Sequence, residues 1–452
     1  MAFKILSPCG ILGYGYPMTS FMAGMEHKPD AIVVDAGSTD AGPHKLGAGV
    51  AIVSKEACKK DLLPLITQGI QNKIPVIIGS AGGSGAKTHV NWTLSIIKEI
   101  IEEQHLSPVK LAIIWGDIPN EVVKERLAAH QVSPLGKTVP ELTPEVIDKT
   151  NGIVAQMGAE PIIEALSNHP DIIICGRAYD PSPFAAPAIA KGYNPALAYH
   201  LGKILECAAL CCEPGTTKDC MLGVIEEDCF EVYPLNPLRK CTKVSVAAHT
   251  FYEKEHPYLL KGPGITMDLS QCHFEEIEKN GVRVSGSQLT YDQHYRIKLE
   301  GAMPVAFRTF VIAGIRDPLL IAQLEEVEAL VKKQVQEYYA EINPDTYHIN
   351  FINYGINGVM GDIEPIKARG HEVAVLMEVL APCEEQASAI CASLRSTFLH
   401  YGYHGRKSTA GNLAFPFAPS DINFGPVYAF SIYHLMDVKH GTELFKTDYM
   451  EV

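Results

Sequence analysis

The chain has 452 residues, 47% of them hydrophobic and 20% charged, which supplies a sizeable core and excludes an intrinsically disordered protein. Its net charge of −14, with no Lys/Arg cluster, repels phosphate backbones and excludes nucleic acid as a partner. No apolar run approaches the ~18 residues of a membrane span, the start is too short for a signal peptide, and the 12 cysteines are scattered. These features lead us to expect a cytoplasmic protein with reduced thiols and no membrane partner.

Short apolar runs without polar alternation predict buried parallel strands at Phe3–Ser7, Ala31–Asp35, Pro75–Gly79, Lys110–Trp115 and Asp171–Cys175. Helix-length segments separate them near Thr19–His27, Lys55–Gln71, Lys87–Gln104, Asn120–His130 and Pro144–Asn168. This alternation predicts an α/β fold: a doubly wound, mostly parallel sheet over residues 1–215 that carries the glycine-rich loops. A further helical stretch, Pro183–Cys212, precedes a compositional shift at Glu213–Asp219, where we place a boundary. Residues 216–452 are expected to form a second, α+β domain with a lid or oligomerisation role. Its strands are predicted at Val244–His249, Pro304–Ile312, His348–Ile352 and His371–Val379, its helices at Asp317–Tyr339 and Glu384–His404.

In a doubly wound sheet ligands bind beyond the carboxyl ends of the strands, and here those ends carry glycine plus reactive side chains. Strand two runs into Asp35-Ala-Gly-Ser38-Thr39-Asp40, strand three into Gly79-Ser-Ala-Gly82-Gly83-Ser84-Gly85-Ala-Lys87-Thr-His89, and strand five into Gly176-Arg177-Ala-Tyr-Asp180. Successive glycines followed by a helix can gather backbone N–H groups around an anion. Gly82, Gly83, Ser84, Gly85, Lys87 and His89, with Ser38 and Thr39, are therefore substrate-binding candidates. Ala86 before Lys87 breaks the P-loop pattern, and Gly10, Gly13 and Gly15 do not make a dinucleotide fingerprint, so no nucleotide is expected.

Arg177 can clamp a carboxylate while Asp180 orients it or acts as base, or the two can simply pair. Asp35 and Asp40 are candidates for acid–base work or for a shared divalent cation; the plainer alternative is a cap and a strand end. Glu206 shares a helix face with Lys203 and His200, a stripe that either faces the crevice or is solvated. Cys207, Cys211 and Cys212 lack paired Cys-x-x-Cys spacing and are read as core cysteines. His400 and His404 have no neighbouring Glu to complete a zincin motif, and no Gly-x-Ser-x-Gly elbow is present.

The segments Asp30-Ala-Ile-Val-Val-Asp35-Ala-Gly-Ser-Thr-Asp40-Ala-Gly-Pro43, Gly79-Ser-Ala-Gly-Gly-Ser-Gly85, Gly176-Arg-Ala-Tyr-Asp-Pro-Ser182 and His200-Leu-Gly-Lys-Ile-Leu-Glu-Cys207 resemble the acyclic terpene utilisation protein A (AtuA-like) family. Residues Ser245–His249 and Ala414–Phe417 fit it more loosely. The resemblance implies a cytosolic catabolic protein associated with branched acids or their thioesters.

The expected function is an enzyme acting on a small carboxylic acid or its thioester by proton abstraction next to a carbonyl, either a hydro-lyase or an isomerase. Asp35, Asp40, Asp180 and Glu206 are its catalytic candidates, and a small anionic molecule its substrate. A homo-oligomer is expected. The alternatives are a metal-assisted hydrolase with a divalent ion on Asp35, Asp40 and Glu206, or a non-catalytic subunit that needs a partner chain.

Overall fold

The computed structural model describes residues 2–37, 42–252 and 255–452. The chain is mixed α/β with several sheets and divides into two compact units, residues 1–303 with 430–452, and residues 304–429. The shift at Glu213–Asp219 falls inside the first unit. No helix among the described residues is long and apolar enough to cross a membrane.

Five strands form the parallel heart of the first unit: β1 (Phe3–Ser7), β2 (Ala31–Asp35), β3 (Val76–Gly79), β4 (Lys110–Ile114) and β5 (Ile172–Cys175). Their spatial order is β1-β2-β3-β5-β4. Antiparallel strands extend both edges. β6 (Met221–Ile225) lies beside β1 and β7 (Cys229–Pro234) beside β6, while Thr447–Glu451 covers β4.

Both faces of the parallel strands are covered, which explains their unbroken apolar runs. One face packs Leu6, Ile32, Val34 and Ile78 against helices α1 (Met18–Glu26), α2 (Lys55–Asn72) and α3 (Lys87–Glu103). Helix α3 presents Val90, Leu94, Ile97 and Ile101, a stripe at helical spacing. The other face packs Ile5, Val33, Ile77 and Ile173 against α4 (Ser182–Ala190), α5 (Pro195–Leu205) and the short helices before β5.

The strand order explains this division. From β1 to β3 the chain steps across the sheet in one direction, so handed crossovers keep α1 to α3 on one side. It then passes over the place of β5 to lay down β4, and returns on the opposite side. The connection leaving β3 carries α3, and the one leaving the neighbouring strand β5 carries α4 and α5.

Two sequence expectations change. Val244–His249, expected as a strand, lies in the helix Lys243–Thr250: Thr242 and Ser245 form a reciprocal capping box whose local bonds outweigh the β-branched valines. The expected helix Pro144–Asn168 breaks into helix Pro144–Lys149, strand Gly152–Ala155 and helix Glu160–Leu166, punctuated by Gly152 and Gly158.

In the second unit, Val373–Ala381 runs antiparallel between His348–Tyr354 and the second half of Tyr295–Ile315. Its burial alternates residue by residue, because helices Leu324–Tyr338 and Glu384–His400 cover one face only. The expected β-α pair at His371–Val379 and Glu384–His404 corresponds to this strand and the second helix.

Candidate active site

Register places Asp35, the last residue of β2, directly beside Gly79, the last of β3. A side chain at Gly79 would crowd Asp35 Oδ1 to 3.1 Å, so glycine there leaves room for the carboxyl group. Asp35 is 5% exposed, and its Oδ1 has no hydrogen-bond partner among the described residues. Burial drives its pKa well above the ordinary carboxylate range; Asp180 and Glu206 add to the rise and Arg177 opposes it.

The loop after β5 supplies Arg177, which is 2% exposed. Its Nε donates to Glu300 Oε2 at 2.9 Å, and one terminal nitrogen donates to Ser80 Oγ at 3.1 Å, the Ala178 carbonyl at 2.7 Å and Asp180 Oδ1 at 2.8 Å. Glu300 in turn pairs with Lys298 at 2.8 Å, and Gln156 donates to it at 3.2 Å. Burial by itself would raise Glu300, but Arg177 and Lys298 overcome it and hold the carboxyl below its usual value. Arg177 is thus built into an internal network that includes the pairing with Asp180 offered by the sequence. Asp180, whose side chain is 29% exposed, is the solvent-accessible end of that network.

Helix α5 contributes the third wall. The stripe His200, Lys203, Glu206 is buried, not solvated. Lys203 Nζ donates to Glu206 Oε1 at 2.5 Å and stands 5.4 Å from the Tyr252 ring centroid. Burial alone would lower Lys203; the adjacent Glu206 carboxylate reverses this and raises it. His200 is a core histidine, with Ser287 Oγ at 2.8 Å and Thr250 Oγ1 at 3.0 Å on its two ring nitrogens. His249, which chemical reading of the sequence did not single out, stacks on Tyr252. Burial, then the charge of Lys203, lowers its pKa to about 4, and its Nε2 has no hydrogen-bond partner among the described residues. Tyr179 Oη is likewise buried without a partner, and Glu206 and Asp180 act on it electrostatically.

The glycine-rich loop after β3 is buried and serves mainly to interlock backbones. Gly83 Cα lies 2.4 Å from where a Cβ on Gly37 would sit, and a Cβ on Gly85 would stand 2.1 Å from Arg177 N. The Gly83 and Gly85 amides are already bonded to the Ser80 and Ala81 carbonyls, so they are not part of an anion cradle. Gly82 packs against His89. Ser84 Oγ and His89 Nδ1 pair at 2.5 Å, and burial lowers the histidine's pKa. Lys87 is exposed, with its ammonium 5.7 Å from the Trp115 ring centroid and its charge acting on Asp117. In the first loop, the Gly13 and Gly15 amides converge on the protein's own Asp61, at 2.8 and 2.9 Å. Ser38, Thr39 and Asp40 lie outside the described residues.

The structure thus brings Asp35, Arg177, Asp180 and Glu206 together and adds Glu300, Lys203, Tyr179 and His249. Asp180 and Glu206 are each paired to a cation, and Asp35 and Glu206 are not part of a converging three-ligand group among the described residues.

The fold is mixed α/β, with titratable side chains gathered at the carboxyl ends of neighbouring parallel strands. The chain belongs to the acyclic terpene utilisation AtuA family, whose model matches residues 54–221 and 239–417. No curated protein and no solved structure matches it.

Proposed function

We propose that this chain is a cytoplasmic enzyme that moves a proton next to the carbonyl group of a small carboxylic acid or its thioester, as a hydro-lyase or an isomerase. The observation that carries the reading is Asp35: a buried carboxyl whose pKa is pushed well up, in part by the accessible Asp180, and whose Oδ1 has no hydrogen-bond partner among the described residues. Leaving a buried polar atom unmade costs about 1–3 kcal/mol, and such a cost is tolerated where a ligand is to be met.

In this reading the five parallel strands and their two helical layers form a doubly wound unit, with its crevice between β3 and β5. Asp180 faces the substrate as base, and Asp35, whose burial favours the protonated form, holds or returns a proton. Arg177 is a positioning residue that fixes Asp180. Lys203, with Glu206, supplies positive charge for an anionic group, and His249 stays neutral beside it. The substrate class proposed is a branched acid or its thioester.

Proton abstraction is detectable without knowing the full reaction. Free branched acids and their coenzyme A thioesters, incubated with the protein in D2O, should exchange the hydrogen next to the carbonyl, as read by NMR. Asp180→Asn should slow exchange by about 100-fold or more, and Asp35→Asn by a comparable factor. Absence of exchange across the panel with wild-type protein, or full exchange by both variants, would overturn the proposal.

A further inference from the structure

Behind the crevice helix, three thiols meet. Cys211 and Cys212 lie in the turn that follows α5, and Cys241 arrives from 29 residues farther along the chain. All three are buried, and their sulfurs lie within 4.8 Å of one another. They are the one converging group of three metal-ligating side chains among the described residues. The sequence pattern hid the group, because the two adjacent cysteines lack the usual spacing and the third ligand is remote.

Core packing does not require sulfurs to face sulfurs, since a buried thiol behaves as a small hydrophobe. The geometry matches a metal centre instead. Thiolates bonded at ~2.3 Å around a tetrahedral ion stand about 3.8 Å apart. Cys212 Sγ and Cys241 Sγ are 3.7 Å apart. Met221 Sδ, a soft thioether, is 3.5 Å from Cys212 Sγ. The backbone holds this arrangement firmly: Glu213 N donates to the Lys240 carbonyl at 2.7 Å, and Lys240 N returns a bond to the Glu213 carbonyl at 3.1 Å. That two-way bridge sets Cys212 opposite Cys241, and Cys241 N is bonded to the Asn280 carbonyl at 2.9 Å.

We propose that Cys211, Cys212 and Cys241 form a binding site for one thiophilic d10 cation, of the class of Zn2+ and Cu+. Each thiol releases its proton to solvent as its metal–sulfur bond forms. An all-sulfur set excludes hard cations such as Mg2+ and Ca2+. Met221 offers a fourth ligand suited to Cu+, whereas Zn2+ would complete its tetrahedron with water. Occupancy ties the end of the crevice helix to the segment leading into the helix that carries His249. The inference is independent of the reaction proposed above.

The test is metal content and affinity of the full chain, purified without chelator and then stripped under reducing conditions. Zn2+ is titrated against a chromophoric chelator, Cu+ against a Cu+-selective chelator without oxygen, and Co2+ by its thiolate charge-transfer absorption. One equivalent should bind to wild type and to Cys383→Ser, whose thiol is exposed elsewhere. Binding should weaken about 100-fold or more in Cys241→Ser. Tighter Cu+ binding that falls in Met221→Leu identifies the monovalent ion; binding indifferent to Met221→Leu identifies zinc. Should Cys241→Ser fail to fold, one equivalent of metal should raise the thermal midpoint of wild type, and excess chelator should reverse the rise. No stoichiometric binding, unchanged affinity in a folded Cys241→Ser, or a Cys212–Cys241 disulfide in the isolated chain that binds no metal once reduced would overturn the site.

Discussion

Removing Glu300 should unfold the first unit from within. Its carboxylate is 0% exposed and holds Arg177 at 2.9 Å and Lys298 at 2.8 Å, while Arg177 is itself 2% exposed. Glu300→Ala strands the guanidinium, with only the partly exposed Asp180 left as an ion-pair partner among the described residues. Breaking a buried pair by deleting one member costs about 3–5 kcal/mol. At ~1.4 kcal/mol per tenfold, the folded-to-unfolded ratio of the first unit should fall by roughly a hundredfold to a few thousandfold. Both tryptophans, Trp92 and Trp115, lie in that unit, so urea unfolding followed by tryptophan fluorescence reports on it. The double change Arg177→Met with Glu300→Leu should cost less than Glu300→Ala alone, since it leaves no unpaired guanidinium. A loss below about 1 kcal/mol for Glu300→Ala, or a double variant as costly as the two single ones summed, would refute the reasoning. Glu300 also sets an acid limit. Its folded pKa is depressed, so its contribution is complete above about pH 4.3 and is lost as pH falls through the folded value.

Asp35 carries the opposite sign. The folded chain holds a proton that the unfolded chain releases above about pH 3.9, so stability falls as pH rises towards the folded value. Asp35→Asn should therefore be more stable than wild type in urea at pH 7 while losing the exchange reaction; a variant less stable at pH 7 than at pH 4, relative to wild type, would contradict this. Glu328 in the second unit is pushed up to about 7, chiefly by burial. Glu328→Gln should remove a decline in stability between about pH 4.3 and 7, visible as a larger advantage in urea midpoint at pH 8 than at pH 5. Gly85 has φ of +64°, and a Cβ there would meet Arg177 N at 2.1 Å. Gly85→Ala should cost about 3 kcal/mol or more, and a normal unfolding midpoint would show that the loop can shift.

The parallel strands were legible because each is an apolar run of four or five residues covered on both faces, a pattern that leaves little ambiguity. The juxtaposition of Asp35, Arg177 and Asp180 followed from the rule that such strands gather their carboxyl ends; Glu206 joins them from the end of a helix, and the sequence left open which way its stripe faces. What those residues touch was not legible. Glu300 lies 123 positions from Arg177 on a strand whose local pattern says nothing about ion pairing. Glycine composition suggested an anion cradle, yet the Gly83 and Gly85 amides close their own turn, and backbone-to-backbone approach accounts for much of the glycine. His249 was hidden by reading its segment as a strand, although the Thr242–Ser245 box that makes it a helix is a local signal. The thiol trio depends on a bridge between Glu213 and Lys240 that no spacing rule anticipates.

The interlocking of Gly37 with Gly83, and of Gly85 with Arg177, has a bearing on engineering. Loops that touch main chain to main chain have no side-chain buffer to absorb a change, so they can be exchanged between homologues only as a matched set. Changing the ligand preference of the site is then best attempted from the helical wall around Tyr252, where contacts are made by side chains.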